Sequence, residues 1–253
     1  MGILLGSAFP VKRMRWLKNL LATTLLPALA SELATLGELT GQTLGHGQWK
    51  NLASLSFASG FLIWLAIYFL LPRPFWLYVL GHELTHALLA YLHGAQVYSF
   101  RVSSHGGAIT TNRTGVLIAL APYIIPLYTL LWVALWKIVD YYYSLSAYQW
   151  LLYAGMGLTW GFHFSFTLSM MKECQPDFQE HGYFFSWVLI AGANLLWALV
   201  FLALTNPAVS WGGMARSLAT HLWKQYTYWG HWLVAGLGQW VGRSVSQRGS
   251  TGT

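Results

Sequence analysis

Long apolar runs, separated by proline, glycine and short polar stretches, dominate the chain. Residues 51–71, NLASLSFASGFLIWLAIYFLL, form one run of about 20 residues, the length of a helix that crosses a bilayer. The stretch PRP at 72–74 ends it. Further spans are predicted over 75–93, 115–136, 148–171 and 183–204. Pro122 and Pro126, inside the third span, each remove a helical N–H and so release the carbonyls of Ile118 and Pro122. Such carbonyls are tolerated at membrane depth where they face protein or a wet cavity. Between the second and third spans the period changes from helix to strand. Tyr98, Phe100 and Val102 alternate with Ser99 and Arg101, and Gly106-Gly107 offers a turn before AITT, so residues 95–114 predict a short β-hairpin.

The two ends are less regular. Residues 1–50 hold a basic cluster and the run NLLATTLLPALASELATLGEL, short in its apolar core and containing Pro27. The preferred reading is an interfacial or partly inserted helix. The alternative is a signal peptide, with ALA before Ser31 as its cleavage site. Residues 205–253 are Trp-rich and weakly amphipathic, which predicts an interfacial region, and SVSQRGSTGT at the end predicts disorder. The fold class expected is thus an all-α polytopic membrane protein. It has about five to six transmembrane helices, a core over 51–204, and a short β-hairpin after the second span.

Composition agrees: 56% of residues are hydrophobic and 8% charged, where a soluble domain carries about a quarter charged. The net charge of +7 does not signal nucleic acid. Lys12, Arg13, Arg15 and Lys18 precede the first apolar region and the other cations lie near span ends, where they orient and anchor helices at anionic lipid. The same bias places that segment, the hairpin and Lys172 in the cytoplasm, with Arg73 and Lys137 outside. The lone Cys174 can form neither an intramolecular disulfide nor a C-x-x-C metal site.

The second span carries the chemistry, in GHELTHALLAY. Positions i and i+4 share a helix face, so His82 and His86 can grip one metal ion, as in H-E-x-x-H zinc sites. Glu83 lies one position round, placed to accept a proton from a metal-held water and pass it to a leaving amine. Zinc would bring the pKa of that water towards about 7. Glu83 is the one acidic residue inside the predicted spans, and an intramembrane carboxylate is by default a functional-site candidate. The structural alternative is a Glu paired with a histidine across the bundle.

H-E-L-T-H in a span, followed by a Gly, a hairpin and a third span, resembles the site-2 protease family of intramembrane zinc metalloproteases. GHELTHALLAYLHGAQVYSF and GGAITT...LIALAPY are similar in particular to its compact, bacterial-type branch, and the resemblance covers about residues 75–204. It implies Zn2+ held by His82 and His86 and Glu83 as general base. It also implies hydrolysis of peptide bonds in membrane protein substrates, and a bacterial cytoplasmic (inner) membrane location. The hairpin resembles a membrane-associated β element of the family, which would pair with an unwound substrate by strand addition.

One feature departs from that pattern. Many family members supply the third ligand as Asp in an L-D-G motif, and this chain has none; it offers His163 in GFHFSF and Asp177 in QPDFQEHG. At about 1.5 Å per residue, His163 falls within about half a membrane thickness of His82 in depth. Asp177 lies about 20 Å further along if the helix continues, and reaches the metal only if the chain turns back at Pro176. His163 is therefore the favoured third ligand and Asp177 the alternative. His46, His93, His105, His181, His221 and His231 read as interfacial or hydrogen-bonding residues, Thr85 as a packing residue, and Asn194 as an interhelical or substrate-facing hydrogen-bonding group. Two other functions compete: an inactive scaffold or pseudoprotease that binds substrate helices, against which the intact Glu83 argues, and a transporter, for which related halves are missing.

Overall fold

A computed structural model describes residues 11–104, 106–173 and 176–250. The chain folds as α1 (Val11–Gly45), α2 (Leu52–Leu70), α3 (Phe75–Leu92), β1 (Val97–Ser103), β2 (Gly106–Thr111), α4 (Val116–Ile124) and α5 (Leu127–Tyr142). There follow α6 (Gln149–Met171), a single turn-and-a-half α7 (Pro176–His181), α8 (Tyr183–Thr205) and α9 (Trp211–Ser250). The predicted spans over 51–71, 75–93, 148–171 and 183–204 correspond closely to α2, α3, α6 and α8. Asn51 caps α2 by accepting from the Ser54 N–H at 2.9 Å, and Pro72 and Pro74 separate α2 from α3.

Three elements differ from the pattern-based expectation. The third span is broken: α4 and α5 meet at 68° around Ile125-Pro126. Pro126 has no N–H to carry the α4 ladder on, and its ring excludes the preceding turn. Gly106 and Gly107 do not form the hairpin turn: they lie in β2 and pair with Ser103 and Val102 within the ladder. The N-terminal half holds one 35-residue helix, and its stretch Arg15–Gly45 is long and apolar enough to cross a membrane. It packs along α8 and α9 and adds Glu32 and Glu38 to the acidic residues on helices of spanning length. At the other end α9 is continuous to Ser250, and 251–253 lie outside the described residues, as do His105 and Cys174.

Three helices, α1, α2 and α8, are individually long and apolar enough to span, or four spans if the bent α4–α5 pair is one. The helices α3 and α6 are not in that set. His82, Glu83 and His86 on α3, and His163 with several Ser and Thr on α6, lower their hydropathy. Both put those polar groups on buried faces. α6 packs hard against α2: a Cβ at Gly60 would run into the Ala154 carbonyl, and one at Gly157 into the Phe57 carbonyl. Close backbone approach through small residues is how helices associate without a water-driven hydrophobic effect. Aromatic rings of Trp64, Tyr68, Phe162 and Phe166 fill the seam, and Trp64 Nε1 donates to Ser165 Oγ at 2.9 Å.

Candidate metal centre

His82 and His86 sit one turn apart on α3, with the imidazole Nε2 atoms 3.1 Å from each other. The third group beside them is Asp177. Its Oδ2 lies 3.5 Å from His82 Nε2 and 3.7 Å from His86 Nε2. Among the described residues these three form the group whose ligand atoms converge well enough for a metal ion. The fit can be tested on distances. Zinc with bonds of about 2.0–2.1 Å in a tetrahedron separates its ligand atoms by about 3.3 Å. The three edges observed here straddle that value, and their triangle has a circumradius of about 2.0 Å. Two imidazoles and one carboxylate on one triangular face could hold a metal ion on the side of the cavity.

The supporting contacts hold each Nε2 in place. His86 Nδ1 donates to the Ile118 carbonyl at 2.7 Å. That is the carbonyl freed by Pro122, so the proline inside α4 leaves open the acceptor that fixes the His86 tautomer. His82 Nδ1 shares a hydrogen bond with the Tyr78 hydroxyl at 3.1 Å, and Tyr123 donates to Asp177 Oδ2 at 2.9 Å. Burial pushes the Asp177 carboxyl up, but the facing imidazoles of His82 and His86 outweigh it and hold it well below the usual carboxylate range. The ionised carboxylate is the form that could bind a metal.

Asp177 arrives by a chain reversal. α6 ends at Met171, and α7 starts at Pro176 and brings Asp177 back towards α3. Phe178, fully buried against the Tyr123 ring at 4.7 Å, anchors that turn. His163 stays apart from the cluster. Its ring lies by the Tyr123 backbone and the Asn194 side chain, and it lines a separate cavity of about 20 Å³ with Thr85 and the far side of His82. Asn194 Nδ2 donates to the Tyr123 and Ile190 carbonyls, and Trp197 Nε1 to the Ile124 carbonyl, so α8 satisfies backbone groups left open by the α4–α5 break. Thr85 Oγ1 returns to the Gly81 carbonyl at 2.7 Å. His93 and His46 hydrogen-bond locally, to the Leu89 and Gln42 carbonyls, His221 of α9 pairs with Glu38 of α1, and His231 is exposed. His181 is buried, burial followed by the Lys18 charge lowers its pKa, and its Nδ1 lies 2.8 Å from Lys18 Nζ.

The three ligand atoms face a cavity of about 340 Å³, shared with buried Glu83 and roofed by β2. Gly107 of β2 lies directly over Glu83: a Cβ there would stand 2.5 Å from Glu83 Cγ and 2.7 Å from Oε1. Tyr78, Tyr123 and Gly107 are parts of the site that motif reading passes over. Tyr78 was reachable, being four residues before His82 on the same face. Tyr123 and Gly107 belong to the site only through packing.

Comparison of the chain with protein-family models, with curated proteins and with solved structures found no match.

Proposed function

We propose that the protein is a zinc-dependent intramembrane endopeptidase acting on membrane-embedded protein substrates. The observation that supports this most directly is the convergence of His82 Nε2, His86 Nε2 and Asp177 Oδ2 on one side of a cavity that also holds Glu83. Zinc bound there would act as a Lewis acid and lower the pKa of water near neutral pH. Glu83 is the general base: its carboxylate takes a proton from the attacking water and returns it to the leaving amine nitrogen. Its burial, at 7% exposure, keeps that exchange within the protein. The edge of β2 offers backbone donors and acceptors to a substrate strand, so the helix to be cut unwinds as it pairs. Gly107 keeps the strand close to Glu83. We further propose that α3 and α6 cross the membrane inside the ring of more apolar helices. The His, Glu and Asp of the site then meet protein and water, not lipid.

The test is purified protein in lipid vesicles with a model transmembrane substrate. One zinc per chain and cleavage by the wild type, with Glu83→Gln inactive but still zinc-loaded, is the expected result. A fully active Glu83→Gln variant would rule the mechanism out.

A further inference from the structure

Of the three groups in the metal cluster, two sit on the long helix α3. Asp177 sits on a six-residue helix whose own backbone cannot fix its position. Phe178 against Tyr123 and the Thr114 hydroxyl on Glu180 hold α7 from the α4 side, and the N-terminal helix adds contacts of its own. Lys18 Nζ donates to His181 Nδ1 at 2.8 Å, and an Arg15 guanidinium N–H donates to the Gln179 carbonyl at 3.1 Å. Asn19 Oδ1 lies 3.9 Å from where a Cβ would stand on Gly182, the left-handed residue at φ +92° that joins α7 to α8. Arg15, Lys18, Asn19 and the fully buried Ala22 follow one another at i, i+3, i+4 and i+7, a single face of α1. That face continues into a small core with Phe185 and Val188 of α8. Basic residues that composition assigns to lipid anchoring thus reach protein.

We propose that this face of α1 positions Asp177: Lys18, and secondarily Arg15, pin α7 so that its carboxylate stays with His82 and His86. The proposal rests on the metal-centre reading above. Lys18 carries the larger share, because its partner His181 is buried at 4% exposure, whereas the Arg15 contact is exposed and correspondingly weak. Neither residue touches the cluster, so both are positioning residues.

The experiment is titration of the apo full-length protein in detergent with Co2+, reading affinity and the visible absorption of the bound ion, and then competition with Zn2+. Loss of an outer-shell partner typically weakens metal binding by about 10–100-fold. Lys18→Ala is expected at the low end, about tenfold, with the Co2+ spectrum displaced towards that of Asp177→Ala. Lys18→Arg should restore most of the affinity. Arg15→Ala should cost about threefold and folds whether or not Lys18→Ala does, while Lys137→Ala, which removes the same charge elsewhere, should change nothing. Wild-type affinity and spectrum in both Lys18→Ala and Arg15→Ala, beside a weakened Asp177→Ala, would overturn the positioning role alone. Wild-type Co2+ binding by Asp177→Ala would instead overturn the metal-centre reading.

Discussion

Replacing Gly107 by Ala adds one methyl group at the point where β2 crosses the proposed general base. The new carbon would meet Glu83 Cγ at 2.5 Å, Glu83 Oε1 at 2.7 Å and Val79 Cγ1 at 2.7 Å. Carbon atoms rest at about 3.5–4.0 Å, so three contacts must each open by about 1 Å. Val79 and Glu83 belong to a packed helix, so the displacement falls on β2 and on the Glu83 rotamer. A misplacement of about 1 Å at a reacting group costs about 10²-fold in rate, which corresponds to about 2.7 kcal/mol of barrier. The three nearest atoms belong to Glu83 and Val79 and not to His82, His86 or Asp177, so zinc affinity should change far less than rate. The assay is initial cleavage rate of a transmembrane substrate in vesicles at saturating zinc, with zinc content measured on the same preparation. Gly115→Ala is the matched control, since a Cβ there meets nothing within 4 Å. Cleavage by Gly107→Ala within threefold of wild type would refute the reasoning, because the crowding would then carry no catalytic consequence.

Two further outcomes follow from the packing. Pro122→Ala restores an N–H that competes with His86 Nδ1 for the Ile118 carbonyl. It should weaken zinc binding by up to about tenfold in a chelator competition titration, and unchanged affinity would remove that carbonyl from the site's support. Gly157→Leu drives a side chain into the Phe57 backbone and must part α2 from α6. It should cost at least about 1–3 kcal/mol, visible as a lower unfolding temperature in detergent, while Gly230→Leu on α9, with nothing within 4 Å, should be near neutral.

The helices were legible because a bilayer imposes a length and an apolar composition that a single chain displays without reference to its partners. That is why α2 and α8 coincide with runs in the sequence to within a residue or two, while α3 and α6, less apolar, are bounded by the proline, glycine and polar residues that flank them. The pair His82 and His86 was legible for a similar reason, since helical periodicity alone brings i and i+4 to one face. The freed Ile118 carbonyl could be named from Pro122, but not the imidazole that uses it. At α1 the proline and two glutamates pointed to an interfacial or partly inserted helix, whereas the chain forms one 35-residue helix whose stretch Arg15–Gly45 is long and apolar enough to cross a membrane.

That Asp177, and not His163, stands beside the two histidines came from tertiary structure. Extrapolating α6 at a fixed rise puts Asp177 far from them. The new helix that starts at Pro176 returns Asp177 to them, and its place depends on Phe178 burying itself against Tyr123 and on Arg15 and Lys18 reaching across from α1, 163 or more positions away in sequence. Local pattern determines which faces of a helix are polar. Contacts between elements far apart in the chain decide which of those faces meet.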